Sequence, residues 1–170
     1  LYDWENFLLA CNMCNSCKKD ADVDLERTHF PHRDNTYMDF IYDESGRVTV
    51  NPALPKEEYE KAENLYNLVK MGRDPFGEEA TSNRDFRWRT RFQTWNIAKK
   101  YLGKYEAGKS DLDDILELVK GYGHWSIWFT VFKGHDEVRK ALIENTPGTC
   151  AACFDAGNHC TNLEGFAFHT

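Results

Sequence analysis

The sequence predicts an α-rich α+β protein, and three observations carry that expectation. A strand–turn–strand pattern is centred on Asp43-Glu-Ser-Gly46. Apolar residues recur at three- and four-residue spacing through most of Pro52–Asn145. The 170 residues are 41% apolar, 14% aromatic and 29% charged, which is enough for one compact domain, or a small module beside a larger one, and unlike a disordered chain.

Three zones follow, residues 1–51, 52–145 and 146–170. In the first, an apolar approach leads to Cys11-Asn-Met-Cys14, and the polar stretch Asn15–Asp20 is expected to open a helix. A loop then carries Thr28-His-Phe-Pro-His-Arg-Asp34. Segments Asp39–Tyr42 and Arg47–Val50 flank a turn whose Gly46 suits a positive φ, so a short hairpin is expected.

In the second zone Pro55 starts a helix bearing Tyr59, Ala62, Leu65, Tyr66 and Val69, with Gly72 as its stop. Ser82 or Asn83 is placed to cap a longer helix carrying Phe86, Trp88, Phe92, Trp95, Ala98 and Leu102 to about Gly103. Ser110, with Asp113 three residues on, resembles a capping signal for Leu112–Val119, which Gly121 would end. His124–Lys133 is almost wholly apolar and reads as internal packing, with a docking surface for a partner as the alternative. Asp136–Asn145 turns Val138, Leu142 and Ile143 inward. The third zone reads as an irregular tail.

Net charge is −7, which gives no support to a histone-like or nonspecific nucleic-acid binder; an anionic partner would need a local patch. Residues 84–104 supply one, with seven cations against the single acid Asp85. Arg84, Arg87 and Arg91 fall at i, i+3 and i+7 and would share a helix face, available to nucleic-acid phosphates or to nearby Glu78, Glu79 and Glu106. Trp88, Phe92 and Trp95 read as core rather than as a stacking platform. No stretch reaches the roughly 20 apolar residues of a membrane span and none reads as a secretory leader, so no membrane partner and a cytoplasmic location are expected.

The six cysteines form two clusters, Cys11/Cys14/Cys17 and Cys150/Cys153/Cys160. Two C-x2-C pairs without a secretory leader read as thiolate ligand pairs rather than a disulfide framework. Cys11 and Cys14 can grip one Zn2+ from a single turn, and a closed site needs two further ligands. Candidates within the chain are Cys150 with Cys153, or Cys17 with His29. The bland alternative is that these cysteines are small buried hydrophobes. His29 and His32 are also weighed as general bases, although a loop histidine is more often a packing residue. Asp20 and Asp34 read as turn or capping residues.

The string Trp4-Glu-Asn6-Phe-Leu-Leu-Ala-Cys11-Asn-Met-Cys14-Asn15-Ser-Cys-Lys18 resembles the second half of an HNH (ββα-metal) nuclease motif in its H-N-N form. Further along, Phe30-Pro31, Asp34, the Asp43–Arg47 turn, Trp125–Lys133, Pro147-Gly-Thr149 and Cys153-Phe-Asp155 are similar to the HNH proteins of bacterial retron and Septu anti-phage systems. The resemblance implies a ββα-metal zinc knuckle and hairpin ahead of a helical domain. It implies that Asn6 ties down the loop between strands, that Cys11 and Cys14 are knuckle ligands, that Asn15 holds a catalytic divalent ion (Mg2+ or similar), and that Lys18 is the basic residue that follows. The family's catalytic His and first C-x2-C would precede Leu1. The activity implied is metal-dependent hydrolysis of nucleic-acid phosphodiesters, with DNA as the expected substrate, beside an ATPase partner. The competing expectation is a noncatalytic, zinc-stabilised interaction module.

Overall fold

The structure is a computed structural model that describes residues 10–31, 34–75, 77, 84–147, 149, 151–155 and 157. Among them the chain is mixed, mostly helical, with one two-stranded antiparallel sheet. The described residues divide into two compact units: one holds those up to Ile41 together with those from Val48 to Asp85, the other holds Tyr42–Arg47 with those from Phe86 to Gly157.

The first unit begins with helix α1 (Asn12–Lys18). A four-residue helix α2 (Thr36–Asp39) runs directly into strand β1 (Phe40–Tyr42), which pairs with β2 (Val48–Val50). In each strand the first residue is buried and the second exposed, the alternation that a one-sided sheet requires. Helix α3 (Lys56–Leu68) turns Ala62 and Leu65 inward, and the Tyr66 hydroxyl donates to the Val48 carbonyl at 3.0 Å. Phe30, Phe40, Val48, Ala62 and Leu65 make this unit's apolar core. Helix α3 stops at Val69 rather than at Gly72, because the chain turns out at Lys70, whose φ is +50°.

The turn joining the strands matches its sequence signal. Gly46 has φ +81° and its N–H donates to the Asp43 carbonyl at 3.1 Å. A Cβ added there would lie 2.9 Å from the backbone N of Phe92 and 2.9 Å from the Trp88 carbonyl, so glycine is required twice over, for conformation and for close approach.

In the second unit α4 (Arg87–Glu106) packs on α6 (Trp125–Val131), with α5 (Leu112–Tyr122), α7 (Asp136–Asn145) and a 3-10 turn (Ala151–Cys153) around them. Phe86 takes the N-cap position of α4 without a side-chain cap, while Ser82 and Asn83 lie outside the described residues. The helix continues through Gly103 to Glu106. At α5 the cap is Asp111, one residue beyond the expected Ser110. Its carboxylate accepts from Asp114 N–H at 3.0 Å, and Asp114 accepts from Asp111 N–H at 3.2 Å, satisfying two end donors reciprocally. Gly121 is helical and Gly123, at φ +66°, makes the stop.

The segment His124–Lys133 is the heart of this core: Trp128, Phe129 and Phe132 are fully buried. Burying each such ring contributes about 1.5–3 kcal/mol. The Trp128 indole N–H donates to the Gly123 carbonyl at 3.0 Å and the Trp125 indole N–H to the Leu142 carbonyl at 3.2 Å, so both indoles are tied into the unit's internal packing. No helix among the described residues is long and apolar enough to cross a membrane.

Candidate functional site

The C-x2-C turn lies at the start of α1. Cys11 is its N-cap, and the Cys11 sulfur accepts the Cys14 N–H at 3.3 Å, while Asn15 N–H donates to the Cys11 carbonyl at 3.0 Å. The helix therefore opens at Asn12, three residues before the polar stretch expected to open it, because a cysteine sulfur serves as the cap acceptor. A backbone N–H aimed at a sulfur favours its thiolate, the form that binds metal. Cys11 is exposed and Cys14 half-buried. Asn15 is exposed in the fourth helical position, and Lys18, three residues on, shares its side of the helix. Cys17 is half-buried, with the Arg73 guanidinium donating toward its sulfur at 3.7 Å.

Two donors on one turn fit half of a tetrahedral zinc site. Among the described residues no group of three His, Cys, Asp or Glu side chains converges as metal ligands. Cys153 is buried at the end of the 3-10 turn in the second unit, and Cys150 and Asn6 lie outside the described residues.

His29 does not complete the site either, because both of its ring nitrogens are engaged. Nδ1 lies 2.9 Å from Asp39 Oδ2 and Nε2 lies 3.1 Å from Glu58 Oε2, on opposite edges of the ring. His29 is 7% exposed and Asp39 2%. Burial alone pushes the imidazole toward its neutral form, but the hydrogen bond and charge of Asp39, with the charges of Asp34 and Glu58, outweigh it and raise its pKa above the ordinary histidine value. Burial likewise pushes Asp39 up, with His29 pulling against it. Glu58 goes down: burial would raise it, but the hydrogen bond from Lys61 and the charge of His29 prevail. His29 is thus clamped between two acids in an arrangement that favours its protonated form, joining the Thr28–Pro31 loop to α2 and α3. Its partners are ten and 29 residues away, which no local pattern signals. His32 lies outside the described residues.

Helix α4 corrects the reading of the basic face. Arg84 is exposed and Arg87 half-buried, but Arg91 is 5% exposed and its Nε donates to the Gly46 carbonyl at 2.9 Å. Arg84 precedes α4 and so has no place on its faces, while the side of α4 that carries Arg87 and Arg91 continues through buried Thr94 and Ala98. Arg91 therefore anchors the hairpin turn and is not available to phosphates. The solvent side carries Arg89, Lys99 and Lys100 instead. Phe92, expected in the core, is 39% exposed, and its ring stacks on Trp88 with centroids 5.7 Å apart.

Comparison with protein-family models, with curated proteins and with solved structures finds no match.

Proposed function

We propose that this chain carries the helix side of an HNH-type site and hydrolyses nucleic-acid phosphodiester bonds in a metal-dependent reaction, as the nuclease subunit of a bacterial defence complex with an ATPase partner. The observation that supports this reading best is the Cys11–Cys14 turn, where a backbone N–H points at a sulfur and exposed Asn15 follows directly.

In this reading Cys11 and Cys14 hold a structural Zn2+. Asn15 presents its amide oxygen to a catalytic divalent cation, and Lys18 lies on the same side to meet a phosphate. When bound, that cation stabilises the departing oxygen of the scissile phosphodiester. Arg84, Arg87 and Arg89 take backbone phosphates, and Arg91 holds the hairpin turn.

A second reading, a noncatalytic zinc-stabilised interaction module, is favoured by one observation. His29, the described histidine of the first unit, has both nitrogens bound to carboxylates and is not free to serve as general base.

The test is cleavage of labelled plasmid DNA and of RNA by the full chain with Mg2+ or Mn2+. Asn15→Ala should lower cleavage about 100-fold or more while zinc content and fold are kept. Cleavage by that variant at the wild-type rate would overturn the nuclease reading in favour of the module.

A further inference from the structure

Helix α4 turns one continuous stripe to solvent. Phe86, Arg89, Phe92, Asn96, Lys99 and Lys100 recur at helical spacing and all are exposed. From Phe86 to Lys100 the stripe runs about 20 Å at 1.5 Å per residue. No Asp or Glu occurs between Phe86 and Lys104, so the stripe is basic without local compensation, on a chain whose net charge is −7.

Charge alone does not account for its two rings. Phe86 is 56% exposed and Phe92 39% exposed. Phe92 is held rather than loose: its ring lies within 10° of parallel to Trp88, and the hairpin turn approaches its backbone so closely that a Cβ on Gly46 would meet it at 2.9 Å. A fixed, half-exposed aromatic ring beside cations is what a nucleobase stacks on, while the cations take the linking phosphates.

We infer that this stripe binds unpaired nucleotides, single-stranded nucleic acid in preference to duplex. The inference rests on the nucleic-acid reading above and narrows its substrate. In a duplex the bases are already stacked on one another and only backbone and groove edges face out, so Phe86 and Phe92 would gain nothing. The two rings are separated by about 9 Å along the helix, more than twice the roughly 3.4 Å between stacked bases. A base that stacks on either ring must leave its own neighbour on that face, which an unpaired strand permits and a duplex resists.

The experiment is fluorescence anisotropy of the full chain with labelled dT20, U20 and a 20-bp DNA duplex at low salt. The expected result is single strands bound about tenfold or more tighter than duplex. In the Phe86→Ala/Phe92→Ala double variant, single-strand affinity falls about tenfold or more with duplex affinity and melting unchanged. Arg89→Ala weakens both and reduces the salt slope by about one unit. The dT20 and U20 arms tell DNA from RNA as the source of the unpaired bases. Duplex bound as tightly as single strands, wild-type single-strand affinity in the double phenylalanine variant, or displacement of dT20 by poly-glutamate at equal charge would each overturn the inference. In the first two cases cleavage that still depends on Asn15 leaves the nuclease reading standing, so the two failures are distinguishable.

Discussion

Removing the cation at His29 should be the most damaging single change in the first unit. His29→Gln keeps an amide that can donate to Asp39 but takes away the positive charge between Asp39 and Glu58. Asp39 has a side chain 3% exposed and would keep a buried carboxylate with no cation against it. Breaking a buried pair from one side costs about 3–5 kcal/mol, a large fraction of the roughly 5–15 kcal/mol that stabilises a typical domain. Glu58 is 42% exposed, so water replaces most of what it loses and it adds little. The double variant His29→Gln/Asp39→Asn removes the stranded charge as well and should recover about 1 kcal/mol or more. The pH profile carries an independent sign. His29 has a folded-state pKa above its unfolded value near 6.5, so its contribution is complete below pH 6.5 and is lost as pH rises through the folded-state value. Urea unfolding at pH 6 and at pH 8.5 should show the stability difference between wild type and His29→Gln shrinking toward the higher pH, with a slope no steeper than about 1.4 kcal/mol per pH unit for one proton. A His29→Gln penalty under 1 kcal/mol together with an unchanged pH profile would refute the clamped-cation account.

Other expectations concern the second unit. Gly46→Ala must adopt φ +81° and set its Cβ 2.9 Å from Phe92 and Trp88 backbone atoms; a loss of about 1–3 kcal/mol in chemical denaturation is expected, and wild-type stability would show that the turn relaxes. Arg91→Met deprives the Gly46 carbonyl of a charged donor and should cost about 1.5–3 kcal/mol, whereas exposed Arg89→Ala should leave melting unchanged; equal melting of the two variants would place Arg91 on the surface after all.

The parts of the fold that were legible in the sequence are those with a local signal. Asp43-Glu-Ser-Gly46 turns where its glycine indicates, and the apolar run His124–Lys133 packs internally as its composition requires. Element ends were less legible because several caps compete within a few residues: Asp111 displaces Ser110, and the Cys11 sulfur caps α1 ahead of Asn15. Periodicity placed Arg87 and Arg91 on one side of α4, which begins only at Arg87 and so leaves out Arg84, but it carries no information on which way that side looks. The neighbours Thr94 and Ala98 decide it, since both are buried on that side. The pairing of His29 with Asp39 and Glu58 had no sequence signal at all, since three separate elements bring the groups together. The C-x2-C spacing, by contrast, translated directly into a sulfur-capped turn with Asn15 after it.

The measurement closest to the central claim is metal content. The full chain, purified without chelator and analysed by elemental mass spectrometry, is expected to carry about one Zn2+ per chain at the Cys11–Cys14 turn, and Cys11→Ser/Cys14→Ser to lose it. Wild-type protein without zinc, or a double variant with undiminished zinc, would contradict the account.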